Sequence, residues 1–210
     1  MEEMRELGSL ALKLERYRYN ITGSLAWVIF GMLFGSAIAM FNGITLLVGY
    51  YWSIMTTCLM SAGLIGAVIY RMFLGFTPPI EETRKRWRKG WFLFFTPFIV
   101  IYILPNFLNL TQLQASLYYS LAWYPSLGIG FLLTGIFAEA KDEMLVTKSL
   151  TCVGISILAS SMAFVLLSKL VTNYYGVVAL GLIATSMMLL IYLGVFLLTF
   201  FRASKAVFET

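Results

Sequence analysis

Three long runs without charge dominate the hydrophobic pattern of the chain. The first extends from Asn20 to Tyr70. The second extends from Gly90 to Ala140, broken only by Glu139, and the third from Ser149 to Phe201, broken only by Lys169. A helix needs about 20 apolar residues to cross the hydrocarbon of a bilayer, so each run predicts a hairpin of two spanning helices. The spans fall at 24–44, 49–70, 91–108, 115–138, 149–168 and 176–200. Barrel strands would alternate polar and apolar residues, and these segments do not. The expected fold is all-α: a polytopic membrane protein with a single domain of six transmembrane helices.

Two shorter segments flank this framework. In residues 1–18, Met4, Leu7, Ala11 and Leu14 share one helical face while Glu3, Glu6, Lys13 and Arg16 take others. That pattern predicts a short amphipathic N-terminal helix, either lying on the membrane surface as an elbow into span one or packed on the bundle. The segment 77–89 reads as a basic cytoplasmic loop or short helix. Thr77 is placed to cap it, Pro78 suits its first turn, and Glu81 and Glu82 sit near the positive end of its dipole.

Charge then fixes an expected orientation. Arg5, Lys13, Arg16 and Arg18 precede span one. Arg71, Arg84, Lys85, Arg86, Arg88 and Lys89 separate spans two and three. Lys141 and Lys148 separate spans four and five, and Arg202 and Lys205 follow span six. Of the 15 Lys and Arg residues only Lys169 falls on the other side. Positive residues stay inside, so both termini are expected in the cytoplasm, with the chain integral to the cell membrane. This asymmetry also explains the basic isoelectric point, about 9.2, without a nucleic-acid partner. The partners expected are the lipid bilayer, a cytoplasmic protein or a second copy of the chain.

Candidate functional residues lie within this layout. Gly31, Gly35, Ala39 and Gly43 recur every four residues in span one. Small residues at that spacing let a neighbouring helix approach closely, either span two through Ala62 and Gly66 (or Gly63 and Ala67) or another subunit. Thr57 and Ser61 share a face of span two, and Ser156 and Ser160 share one of span five. Together with kinks at Pro97 and Pro125, they mark a candidate polar path; local hydrogen bonding is the alternative. Aromatic residues crowd the proline-bearing spans: Trp91, Phe92, Phe94, Phe95, Phe98, Tyr102, Tyr118, Tyr119, Trp123 and Tyr124. They would either line a site for an apolar or amphipathic ligand or face lipid. Arg84, Lys85, Arg86, Arg88 and Lys89 are candidates for contact with a partner or with lipid headgroups, against a purely topological role. The run Glu139-Ala140-Lys141-Asp142-Glu143 reads as a solvated helix end with Glu139 and Glu143 on one face, with contact to a divalent ion or a basic partner as the alternative.

The absences narrow the chemistry. The chain has no His, which excludes His-ligated haem and Ser–His or Cys–His hydrolysis. Asp142 is the sole Asp, which excludes an aspartyl dyad, and neither a phosphate loop nor a dinucleotide fingerprint occurs. No catalytic residue, metal site or cofactor is expected. The layout of an elbow-like N-terminus, six spans and a charged loop between spans two and three resembles the permease subunits of ABC-2 type exporters. That resemblance, one of topology, implies a permease driven by a partner ATPase. The leading expectation is a membrane transport component, a permease or channel subunit without proton coupling of its own, moving a small or amphipathic substrate. The alternatives are a non-catalytic subunit of a larger membrane complex and a lipid-modifying membrane enzyme.

Overall fold

The computed structural model describes residues 2–48, 52–69 and 81–208, and among these the chain is helical without strands. We number the helices α1 (Glu2–Val48), α2 (Trp52–Ile69), α3 (Glu81–Ile103), α4 (Gln112–Leu121), α5 (Trp123–Phe137), α6 (Ser149–Ser168) and α7 (Tyr174–Phe208). Five spans among the described residues are long and apolar enough to cross a membrane: one each in α1, α3, α6 and α7, and one made of α4 and α5 end to end. The chain is therefore an all-helical protein of the integral membrane type. α2 is shorter, at 18 residues, and carries no charge. The proposed cap at Thr77, the first-turn Pro78 and Arg71 lie outside the described residues.

The helices form where the sequence places them, with two differences in how they join. From Glu2 the amphipathic segment is helical, but no elbow separates it from span one. α1 continues unbroken for 47 residues, about 70 Å at the rise of an α-helix, because nothing between Arg18 and Ser24 breaks the backbone hydrogen bonding. Likewise the basic segment does not stand apart as a loop, since Glu81–Lys89 form the first turns of α3 itself.

Two prolines have separate local consequences. At Pro105 the chain leaves α3 through a single 3-10 turn, Leu104–Phe107. The proline leaves the Ile101 carbonyl without its helical donor, and the Tyr118 hydroxyl donates to that oxygen at 2.8 Å. At Pro125 the fourth span breaks into α4 and α5 about Ala122. There the Trp123 Nε1 donates to the Ser120 carbonyl at 2.8 Å and the Ser126 hydroxyl to the Ala122 carbonyl at 2.6 Å. Pro97, by contrast, is buried within an uninterrupted α3.

Packing is most extensive between α1 and α7 and within the group α3, α5 and α6, while α2 leans chiefly on α1. Close approach in the second group depends on glycine. A Cβ on Gly130 would lie 2.6 Å from the Phe94 carbonyl oxygen, and one on Gly154 would lie 2.7 Å from the Leu132 nitrogen. Phe94, Tyr124, Phe131, Ile157, Leu180, Met188 and Tyr192 form the buried core between the two groups.

Candidate functional site

A cavity of about 1020 Å³ separates α1 from α3, α4 and α5, with α7 as its floor. α1 and α3 face each other across it without packing closely on one another. The long axis follows α1, whose lining residues run from Asn20 to Asn42. Those 22 residues of rise span about 33 Å, close to the roughly 30 Å of a hydrocarbon core. The wall is aromatic. Trp91, Phe94, Phe95, Phe98 and Tyr102 come from α3, Tyr119 and Trp123 from the α4–α5 span, and Phe30, Phe34 and Phe41 from α1. Of the aromatic residues singled out in the sequence, Phe92 instead points outward, 80% exposed. Tyr118 is spent on the Ile101 carbonyl, and Tyr124 is buried with its hydroxyl 2.7 Å from that of Ser160.

One end of the cavity is closed by a buried polar plug that the sequence reading missed. The segment 138–148 folds back into the bundle instead of lying in solvent. Glu139 is fully buried, and its carboxylate accepts from the Ser149 hydroxyl (3.1 Å), the Leu150 N–H (2.8 Å), the Thr151 N–H (2.9 Å) and the Thr151 hydroxyl (3.0 Å). The expected solvated helix end is thus corrected: Glu139 satisfies the open N–H groups at the start of α6. Asp142 is buried as well. It accepts from Tyr19 of α1 at 2.7 Å and from the indole of Trp87 of α3 at 3.0 Å. The Lys148 ammonium donates to the backbone carbonyls of Glu139 and Asp142. Asn20 donates to the Arg16 and Met144 carbonyls and accepts from the Val146 N–H.

The residues of the proposed polar path do not come together. Thr57 and Ser61 are exposed on α2, which packs on α1, whereas α6 packs on α5 and α7. Ser160 bonds within its own helix, 2.9 Å from the Ser156 carbonyl, in addition to its contact with Tyr124. Neither Ser156 nor Ser160 lines the cavity, and neither do Pro97 and Pro125.

The small-residue stripe of α1 divides between two faces. Gly31 and Gly35 lie against α7, where a Cβ would meet the Tyr192 ring at 2.1 Å and Leu189 at 3.0 Å respectively. Ala39 and Gly43 are exposed, and among the described residues nothing lies within 4 Å of a Cβ at Gly43. A step of four residues overshoots the helical turn by 0.4 residue, about 40°, so the stripe winds off the contact. Ala62 and Gly66 of α2 meet a different face of α1, through Ala37, Leu33 and Phe30.

The basic residues of α3 lie on its outer side. Arg84, Lys85, Arg88 and Lys89 are exposed. Lys85 pairs with Glu81 at 3.0 Å and Arg86 with Glu82, each one turn apart. Trp87 points the other way, into the plug. Among the described residues no cluster of His, Cys, Asp or Glu has the form of a metal site. Comparison with known proteins found no family model, characterised protein or solved structure that matches the chain.

Proposed function

We propose that this chain is a membrane transport component that carries an amphipathic, largely apolar molecule, with the aromatic cavity as its binding site. The cavity carries the proposal: it is of membrane depth, is walled mainly by aromatic rings, and has only a few polar groups among them. Binding sites for small molecules are typically apolar hollows of about 300–1,000 Å³ with a few placed polar groups. The route therefore runs between α1, α3, α4–α5 and α7, and not along Thr57, Ser61, Ser156 and Ser160.

In the arrangement we propose, α2 is a sixth crossing and both termini are cytoplasmic. The clustering of Arg16, Trp87, Asp142 and Lys148 at one end of the bundle supports this reading, since these segments carry the basic excess. The proposed transport is not coupled to protons through this chain. Glu139 and Asp142 are buried, but helix-start and indole donors hold their carboxylates in the plug, and neither lines the cavity. A proton relay needs an ionisable group on the pathway. A cytoplasmic ATPase would dock on the outer basic face of α3.

The test is movement of chain-labelled fluorescent lipids, with charged and uncharged heads, between the leaflets of liposomes holding this protein alone. The wild type should accelerate at least one probe. Ser116→Trp, which fills the cavity near Gln112, should slow it, and Ser61→Trp, on the exposed face of α2, should not. If well-folded protein moves none of the probes under any gradient, the transport reading falls and the chain is a non-catalytic subunit.

A further inference from the structure

We infer that the cavity takes an uncharged lipid whose head carries two or more hydroxyl groups, seated against Thr147; this rests on the transport reading and names its substrate class. The first observation is Thr147 itself. It lines the cavity, is 1% exposed, and its hydroxyl is buried without a hydrogen-bond partner. A buried hydroxyl left unpaired is costly, and native structures rarely leave one; the Thr147 oxygen is covered, so a ligand head takes it as a partner only by displacing the side chains that cover it.

The second observation is the hydrogen-bonding polarity of the surrounding groups. Ser24 donates to the Ile21 carbonyl, Thr199 to the Val195 carbonyl and Ser149 to the Glu139 carboxylate. All three line the cavity with their protons already used, so each offers only oxygen lone pairs. Their placement follows from the packing of α1 on α7. Asn42 lies by Gly181, Gly35 by Leu189 and Gly31 by Tyr192, and that antiparallel register brings Ser24 level with Thr199. Asn20, one turn further along, anchors Val146 beside Thr147. This end of the cavity therefore presents several acceptors and one free donor. An ester or ketone head offers acceptors only and would leave these oxygens unmatched. A head with several hydroxyls supplies both kinds, as glyceryl and glycosyl lipids do.

The third observation is charge. Among the described residues no Asp, Glu, Lys or Arg lines the cavity. An ionised head would enter an apolar space without a counter-charge, which is strongly unfavourable. The chain of the lipid lies along Phe94, Phe98, Phe34 and Phe131 toward the opposite end.

The experiment uses the full-length protein in nanodiscs and three probes with the same brominated 18-carbon chain: the monoglyceride, the free acid and the methyl ester. Trp91 and Trp123 line the cavity, so a bound brominated chain quenches their fluorescence. The monoglyceride should bind about ten-fold more tightly than the methyl ester, as expected for one well-placed hydrogen bond, and more tightly still than the acid at neutral pH. Thr147→Val should reduce monoglyceride binding about ten-fold and leave the ester unchanged. The ligand-free variant should melt at or above the wild-type temperature, because an unpaired buried hydroxyl has been removed. Equal binding of all three probes to the wild type, or an equal loss of all three in Thr147→Val, would overturn the assignment of the head while leaving the cavity reading intact. No quenching by any probe would overturn both.

Discussion

Trp87 donates its indole N–H to the Asp142 carboxylate at 3.0 Å, and the same oxygen accepts the Tyr19 hydroxyl at 2.7 Å. One carboxylate thereby ties α3 and α1 to the segment that leads into α6. All three side chains are buried, so the link matters more than a surface contact would. Asp142→Ala would remove the acceptor shared by Trp87 and Tyr19, and losing a buried hydrogen bond costs about 1–3 kcal/mol. We expect a clearly lowered thermal midpoint in detergent. Asp142→Asn, which keeps an acceptor oxygen, should lose less.

Glu139 gives a second prediction from the same plug. Its two oxygens each accept two donors at the start of α6. In Glu139→Gln one oxygen becomes an NH₂ group, which then faces N–H or hydroxyl donors instead of accepting from them. The expected loss is about 2–3 kcal/mol, one or two buried hydrogen bonds together with the charge interaction at the helix start. Thermal unfolding checks this, and amide exchange at Leu150 and Thr151 should rise with it.

The divided stripe of α1 makes a third. Gly31→Ala drives a methyl group into the Tyr192 ring, and overpacking of this kind costs about 1–3 kcal/mol. Gly43→Ala meets no described residue within 4 Å and should be neutral or slightly stabilising, since alanine favours a helix over glycine by about 1 kcal/mol. Equal effects at both positions would mean that the four glycine and alanine positions act as one contact surface.

These contrasts separate what the chain states locally from what only its folding reveals. The helices were legible because hydrocarbon length and the absence of charge act segment by segment. The aromatic wall was legible as a crowd of rings, yet periodicity alone does not distinguish Phe94, which turns inward, from Phe92, which turns out. The partner of Gly31 was not legible, because a smooth helix face fits any apposed helix and only the fold selects α7. The burial of Glu139 was hidden for a different reason. Its donors are backbone N–H groups of Leu150 and Thr151, and backbone groups carry no mark in a sequence. Thr147 is ordinary in the sequence for the same reason: its significance is the missing partner.

The last prediction concerns orientation. α3 holds Lys85 near its first residues, and Asn109 follows the turn at Pro105 beyond its end. The uncharged stretch from Gly90 through the 3-10 turn to Phe107 spans about 29 Å, close to the thickness of the hydrocarbon core, so the two positions should emerge on opposite sides of a membrane. Both are exposed. Lys85 shares its end of the bundle with Trp87, Asp142 and Lys148, where the basic residues concentrate, and positive residues stay in the cytoplasm. In a variant with Cys58 and Cys152 replaced by alanine, a membrane-impermeant thiol reagent added to intact cells should label Asn109→Cys and not Lys85→Cys. Permeabilised cells should show labelling at both. Labelling of Lys85→Cys alone from outside would invert the proposed topology and place the Thr147 end of the cavity at the outer surface.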